Sequence, residues 1–311
     1  MSDWKIPCHQ SPTRTQAPHR VRFNTFFIHL YTSDCPINAH SSCQLVKFAD
    51  DSELMGRINN DCDEEYHHAI QQFVDWCDEN YLHLNVSKTR EMCIDFRKNK
   101  REPKPVFIKN EQVERVDTYK YLGLTFDSKL NWNDHVNTLV KKVNCRLYCL
   151  RKLKSFGVCP SLLLIFYNAV ICSVVTFGAV CWGGNISSHD QGRLEKLVRK
   201  ASRVVGLPLD TFERLCDKRR SRKIETILSD VTHPLRQEFV SRHNPRSGRY
   251  VQPRATTKRY GNSFVPTALR ILNARHRRLW YSFLKTVITR LQRGSLALVS
   301  PTLLCSLPIS G

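Results

Sequence analysis

The spacing of the apolar residues changes once along this chain, and that change limits what it can fold into. Up to about residue 130 they come in short runs. Leu45-Val46 and Leu54-Met55 flank Phe48-Ala49-Asp50-Asp51, and Met92, Ile94 and Phe96 alternate with polar residues. Val106-Phe107-Ile108 reads as another strand, and Tyr119–Phe126 as one more with Gly123 inside it, where a glycine marks a bulge or a close backbone approach. From Asn133 the period is helical: Val136, Leu139, Val140, Val143, Leu147 and Leu150 form one stripe. Such a chain is α+β, a strand-rich unit followed by a helical one.

One helix interrupts the first half. Tyr66, Ala69, Ile70, Phe73, Val74 and Cys77 recur behind the acidic cluster Asp61–Glu65, which suits a helix N-terminus, and the pattern runs to about Asn80. In the second half Ser161–Trp182 holds no charged residue and is long enough to be a membrane-span candidate. Asn168, Ser173 and Thr176 interrupt it and both flanks are basic, which favours a buried core helix. Ser188 is placed to cap a helix carrying Leu194, Leu197, Val198, Ala201 and Val204, stopped by Gly206 and Pro208. A helical pair is expected over Phe212–Val231. Residues 235–262 are rich in Arg, Ser, Gly and Pro, and Val265–Asn273 reads as one last turn or helix. Residues 1–20 show little periodicity and read as a disordered leader, whereas 21–35 are apolar enough for one helix or strand.

Charge narrows the partners. The 311 residues carry a formal net charge of +20. About 22 Lys and Arg against 7 Asp and Glu fall in residues 193–278. An excess of this size favours a polyanion, nucleic acid or an anionic membrane surface. The 13 cysteines form no Cys-x-x-Cys pair or zinc-ligand spacing, and Cys145 and Cys149, one helical turn apart, suit packing. Without a secretory signal at Met1-Ser2-Asp3-Trp4, reduced thiols inside a cell, nuclear or cytoplasmic and not secreted, fit best. No Gly-rich loop for a nucleotide cofactor or S-adenosylmethionine occurs, so no small-molecule cofactor is expected.

The chemistry-bearing stretch is Lys47-Phe48-Ala49-Asp50-Asp51. Apolar runs on both sides of a polar pair predict strand, tight turn, strand, with the aspartates at the tip. Adjacent carboxylates on a hairpin suit a hard divalent cation such as Mg²⁺, although Asp-Asp also occurs in ordinary solvated turns.

The ordered series Phe48-Ala49-Asp50-Asp51, Leu82-His83-Leu84-Asn85-Val86-Ser87-Lys88-Thr89 and Tyr119-Lys120-Tyr121-Leu122-Gly123 resembles the reverse transcriptases of non-LTR (LINE-type) retrotransposons, over about Leu30 to Asn273. The resemblance implies a partial polymerase palm (β-hairpin, helix, antiparallel strands), then a helical thumb and a basic, partly disordered C-terminal region. It implies that Asp50 and Asp51 are catalytic and bind Mg²⁺, and that Lys88 stands near the departing pyrophosphate as a proton donor. Tyr121, Leu122 and Gly123 would form the primer grip. Lys141, Lys142, Arg146, Arg151, Arg199, Lys200 and Arg203 would track an RNA or DNA template–primer. Away from the resemblance, Lys88 reads as a solvated lysine and Tyr121–Gly123 as a buried strand. The expected divisions are a disordered or unrelated leader at 1–29, palm with primer grip at 30–130, thumb at 131–232, basic region at 233–273 and a read-through tail at 274–311.

The departures from that family carry equal weight. Nothing in residues 1–45 reads as the earlier aspartate strand, Phe-x-Asp-x-x-x-Ala-Phe-Asp; Asp3 and Asp34 lack its flanking residues. The Gly-x-x-Gln-Gly stretch, the fingers and an upstream endonuclease are missing too. Two Mg²⁺ ions about 4 Å apart need carboxylates from both strands, so a reverse-transcriptase remnant with poor metal affinity and negligible polymerisation is expected. The alternatives are a non-catalytic, sequence-independent nucleic-acid-binding protein resting on the basic helices and residues 242–259, and, less favoured, a membrane protein spanning at 161–182. Oligomeric state is left open. Tyr119–Leu153 also resembles a segment associated with the N-terminal part of an AlkB-homologue dioxygenase. Such enzymes need two His and a carboxylate on iron, and no His-x-Asp occurs in the chain.

Overall fold

The computed structural model describes residues 2–5, 32, 34–35, 42–49, 51–58, 62–97 and 103–277, Ser2–Lys5 by their backbone. Two compact units meet at the Thr138–Leu139 peptide bond.

The strands of the first unit are, in chain order, Ser2–Lys5 (β1), Cys43–Phe48 (β2), Asp51–Gly56 (β3), Arg90–Glu91 (β4), Phe107–Ile108 (β5), Glu111–Gln112 (β6), Glu114–Arg115 (β7), Thr118–Tyr121 (β8) and Leu124–Asp127 (β9). Five make one sheet in the order β2-β3-β1-β4-β7, antiparallel except for the β4–β7 pair. β5 with β6, and β8 with β9, form separate hairpins. The reading of residues 1–20 as a disordered leader fails at Ser2–Lys5, which lie in the middle of the sheet. The remainder of 1–29 falls outside the described residues. The helix Glu64–Glu79 (α1) turns Tyr66, Ala69, Ile70, Phe73, Val74 and Cys77 inward, as the spacing predicts. They pack with Cys43, Leu45, Leu54, Val106, Ile108 and Val113 into one core.

Two expectations for this unit change. Residues 92–97 do not continue a strand, because the ladder ends after Arg90–Glu91. Tyr119–Phe126 is a hairpin, with Tyr121 opposite Leu124 and a loop of only Leu122 and Gly123. Both loop residues have positive φ (44° and 84°), the geometry that joins two twisted strands most tightly. Gly123 is a turn residue and forms no bulge.

The second unit is mostly helical. In the helix Asn133–Ser155 (α2), which enters it from the first, Val136, Leu139, Val143, Leu147 and Leu150 are buried. The uncharged run is broken into Pro160–Phe166 (α3), a π-helical segment Tyr167–Cys172, Ser173–Val175 (α4) and, after Gly178 at φ 59°, Ala179–Trp182 (α5). It buries one face only: Leu163, Tyr167, Ile171 and Trp182 are covered while Leu162, Ile165 and Phe177 are exposed. Among the described residues no helix is long and apolar enough to cross a membrane.

Ser188–Val205 (α6) is capped by Ser187, one residue before the expected cap, whose hydroxyl accepts from the Asp190 N–H, and it stops at Gly206 (φ 80°). Phe212–Ser229 (α7) is one helix and not a pair. The basic stretch expected to be partly disordered is instead ordered. It contains Arg236–Val240 (α8), a hairpin of His243–Asn244 (β10) and Arg249–Tyr250 (β11), Lys258–Gly261 (α9) and a helix over 264–277 (α10). Phe239, Ala268 and Leu269 are buried against Ile224 and Ile227 of α7, which supplies the core that composition alone does not announce.

Candidate nucleic-acid and nucleotidyl-transfer site

Phe48 pairs with Asp51, so β2 and β3 are joined by a loop of Ala49 and Asp50 alone. Ala49 sits at φ 54°, a conformation that a residue with a Cβ adopts at some expense. Asp50 lies outside the described residues. Asp51, half-buried, opens β3, and strand alternation puts Glu53 on the same face. Lys47 Nζ donates to the Thr32 carbonyl, which ties the hairpin to the segment before it.

Glu53 escaped the sequence reading. It is only 5% exposed, in a strand where Ser52 and Leu54 are buried as well. Burial pushes its carboxyl above the usual carboxylate range, and the Tyr121 side chain close by offsets part of that rise. The contact joins the hairpin that begins with Asp51 to the Tyr121-Leu122-Gly123 hairpin. The sequence offers no local signal, since Glu53 follows the polar Asp50-Asp51-Ser52 and Tyr121 comes 68 residues later.

Lys88 ends a 3₁₀ turn, Val86–Lys88, whose first N-terminal turn is capped by Asn85: the Asn85 side chain accepts from the Lys88 N–H at 3.1 Å. Arg90 Nη1 steadies the same turn through the Ser87 carbonyl (2.7 Å) and the Thr89 carbonyl (2.8 Å). The Lys88 side chain is exposed. The turn packs beside β1, so β1 stands between it and the Asp51 strand. The three motifs therefore fall in one unit, with Tyr121 near the carboxylate strand and Lys88 one strand away.

Register tests whether these residues suit a pair of metal ions. On β1, Lys5 stands opposite Asp51 and Asp3 opposite Glu53. A two-metal centre needs carboxylates from both strands at the tip. Burial disfavours the charged form of Glu53, two residues along β3 from Asp51. Among the described residues no group of three or more His, Cys, Asp or Glu side chains is arranged to hold a metal ion.

In the second unit, Lys141, Lys142 and Arg151 of α2 and Arg199, Lys200 and Arg203 of α6 are exposed. Lys154 Nζ reaches the Arg203 carbonyl at 3.3 Å, bringing the C-terminal ends of those two basic helices together. Arg146 differs: it is half-buried and donates to the Val170 carbonyl, pinning α2 to the π-helical segment.

A family model described as "Alkylated DNA repair protein alkB homolog 8, N-terminal" matches residues 132–173, which cover α2, α3 and the π-helical segment. The chain is 25% identical over 229 residues to the "Probable RNA-directed DNA polymerase from transposon X-element" of Drosophila melanogaster, covering 70% of this chain and 24% of that protein. It is 23% identical over 189 residues to the "Probable RNA-directed DNA polymerase from transposon BS" of the same organism, covering 57% and 20%. It thus spans about a quarter or less of the length of these curated relatives. No solved structure matches. The chain contains a region like the reverse transcriptases of LINE-type retrotransposons.

Proposed function

We propose that this chain is the palm end, primer grip and thumb of a retrotransposon reverse transcriptase, that it holds an RNA or DNA template–primer, and that as this chain it does not extend it. The observation that carries the reading is the 25% identity over 229 residues to a transposon RNA-directed DNA polymerase, together with the motifs at Asp50-Asp51, Lys88 and Tyr121-Leu122-Gly123 falling in one unit of the chain. In this reading Tyr121, Leu122 and Gly123 seat the primer terminus. The exposed lysines and arginines of α2 and α6 neutralise backbone phosphates, largely without regard to base sequence. Lys88 faces solvent beside the sheet, where a lysine can neutralise a phosphate or give up a proton. Mg²⁺, when bound in the intact family, activates the primer hydroxyl and neutralises the triphosphate. That chemistry is not expected here, because residues 1–45 carry no counterpart of the family's earlier aspartate strand.

Primer extension with Mg²⁺ tests the reading, run on the chain and on Asp50→Ala alongside template–primer binding by fluorescence anisotropy. Background extension by both proteins, with salt-sensitive binding retained, is the expected outcome. Extension by the chain that Asp50→Ala abolishes would overturn the inactive assignment, and loss of all binding would overturn the rest.

A further inference from the structure

The C-terminal arginines fall into two sets. One holds the fold together: Arg242 pairs with Glu238 (2.7 Å), Arg275 with Glu225 (3.0 Å), and Arg270 Nη2 donates to the Gly261 carbonyl (2.7 Å). The other set, Arg246, Arg249, Arg254 and Lys258, is exposed, and among the described residues none of the four has a carboxylate partner. Arg246 and Arg249 lie on the β10–β11 hairpin, and Arg254 and Lys258 on the segment just after it.

That hairpin is tied down at every level. Val251 N–H donates to the Arg242 carbonyl (2.8 Å) at its base, and Gly248 N–H to the Asn244 carbonyl (2.9 Å) at its tip. The Asn244 side-chain oxygen accepts from the Arg246 N–H (2.9 Å) and the Ser247 N–H (3.3 Å). Asn273 of α10 clamps Tyr250 through both its N–H and its carbonyl, at 2.8 and 2.9 Å. Gly248 has φ 63° and lies so close to α10 that an added Cβ would stand 2.6 Å from His276 Nε2. Two arginines are thus carried on a short, braced ribbon with their charges uncompensated, an arrangement whose self-repulsion an external polyanion relieves.

We infer that the hairpin spanning residues 242–251 is a preformed docking site for the sugar-phosphate backbone of a nucleic acid, engaged without reading base sequence. The inference rests on the nucleic-acid-binding part of the proposed function and assigns it a second contact outside the α2 and α6 helices. The tip, Pro245-Arg246-Ser247-Gly248, offers guanidinium and backbone but no large apolar side chain to wedge into a bilayer, which favours nucleic acid over an anionic membrane. Bracing lowers the entropy lost when the arginines engage phosphates.

The test is anisotropy of the full chain on a labelled mixed-sequence duplex and single strand, across salt from about 50 to 200 mM. Arg246→Gln/Arg249→Gln is expected to weaken binding about tenfold and to lower the log–log salt slope by about two units, equally for different sequences. Gly248→Ala and Asn273→Ala change no charge and are expected to weaken binding as well, because each releases the ribbon from α10. If the double variant keeps the parent's affinity and slope while the parent binds, the hairpin assignment falls and the wider reading stands. If the double variant weakens but neither Gly248→Ala nor Asn273→Ala does, charge acts without the preformed geometry and the site as stated is overturned. A parent that binds phosphatidylserine vesicles but neither nucleic acid overturns both readings.

Discussion

Two hairpins of the first unit share a loop length and differ in what holds them. β2–β3 and β8–β9 each turn on two residues, and each puts a non-glycine at positive φ in the first loop position, Ala49 in one and Leu122 in the other. The β2–β3 hairpin is part of a five-stranded sheet and buries Cys43, Leu45 and Leu54 against α1. Among the described residues β8–β9 pairs with no further strand. An isolated two-stranded ribbon is marginal in water, so it depends on local clamps. Thr125 N–H donates to His135 Nδ1 (3.3 Å), Asn131 N–H to Asp127 Oδ1 (2.6 Å), and the Phe126 ring leans on Trp132 at 5.1 Å between centroids. The lesson is that the carboxylate hairpin is fixed by its strand faces, whereas the Tyr121 hairpin is fixed by its turn and a few polar contacts.

The comparison breaks most visibly under Leu54→Ala. This fully buried side chain is expected to cost the first unit about 2–5 kcal/mol in urea unfolding, with the second unit's transition unmoved. A loss under about 1 kcal/mol would mean that the sheet face does not support the hairpin. Gly123→Ala comes next. At φ 84° the new Cβ meets the left-handed penalty, so about 1–2 kcal/mol is expected, read as faster amide exchange confined to residues 118–127. Leu122→Gly sharpens the contrast in the opposite direction. Relief of strain at φ 44° is expected to raise stability by about 1 kcal/mol or less, while removing a 40%-exposed side chain from the turn assigned to primer seating weakens template–primer binding. An equal change in both readouts, of the same sign, would remove strain as the explanation.

The smallest effect belongs to the contact that joins the two hairpins. Burial raises the Glu53 carboxyl in the folded chain above its value in the unfolded one, and the nearby Tyr121 side chain offsets part of this. The folded state then binds the proton more tightly. Stability is lost as pH rises from the ordinary carboxylate range through the raised value, and the cost vanishes below that range. Glu53→Gln keeps an oxygen for Tyr121 and removes the charge. It is expected to be more stable than the parent at neutral pH and equal to it in acid, by urea midpoints across pH. A gain that persists unchanged into acid would show that charge is not the cause.

Much of this was legible because period survives folding. The β2–β3 hairpin, α1 and α2 follow from the spacing of Leu45, Leu54, Phe73 and Leu147. The β8–β9 turn was misread because Leu122-Gly123 lacks the Asn-Gly or Asp-Gly signal of a tight hairpin, so alternation ran straight through it. Residues 233–262 were misread because their few apolar positions find partners at Ile224, Ala268 and Leu269, beyond the range of any local pattern. At the candidate site, Asp51 and Tyr121 were visible as motif residues. Glu53 and the register that sets Lys5 opposite Asp51 were not, since each is defined by a partner far along the chain.

The π-helical segment bears on how the second unit winds. Leu163, Tyr167, Ile171, Val175 and Ala179 are all buried, and they recur every fourth residue. An α-helix completes a turn in 3.6 residues, so a strict four-residue repeat would slip about 40° at each step, about a third of a turn by Val175, where this helical run ends. Tyr167–Cys172 bonds one residue further along, which widens the turn and takes up much of that slip. The apolar line thereby stays in phase with the core it covers. Removing a single residue from this segment would send everything after it out of phase, a larger disturbance than any substitution within it.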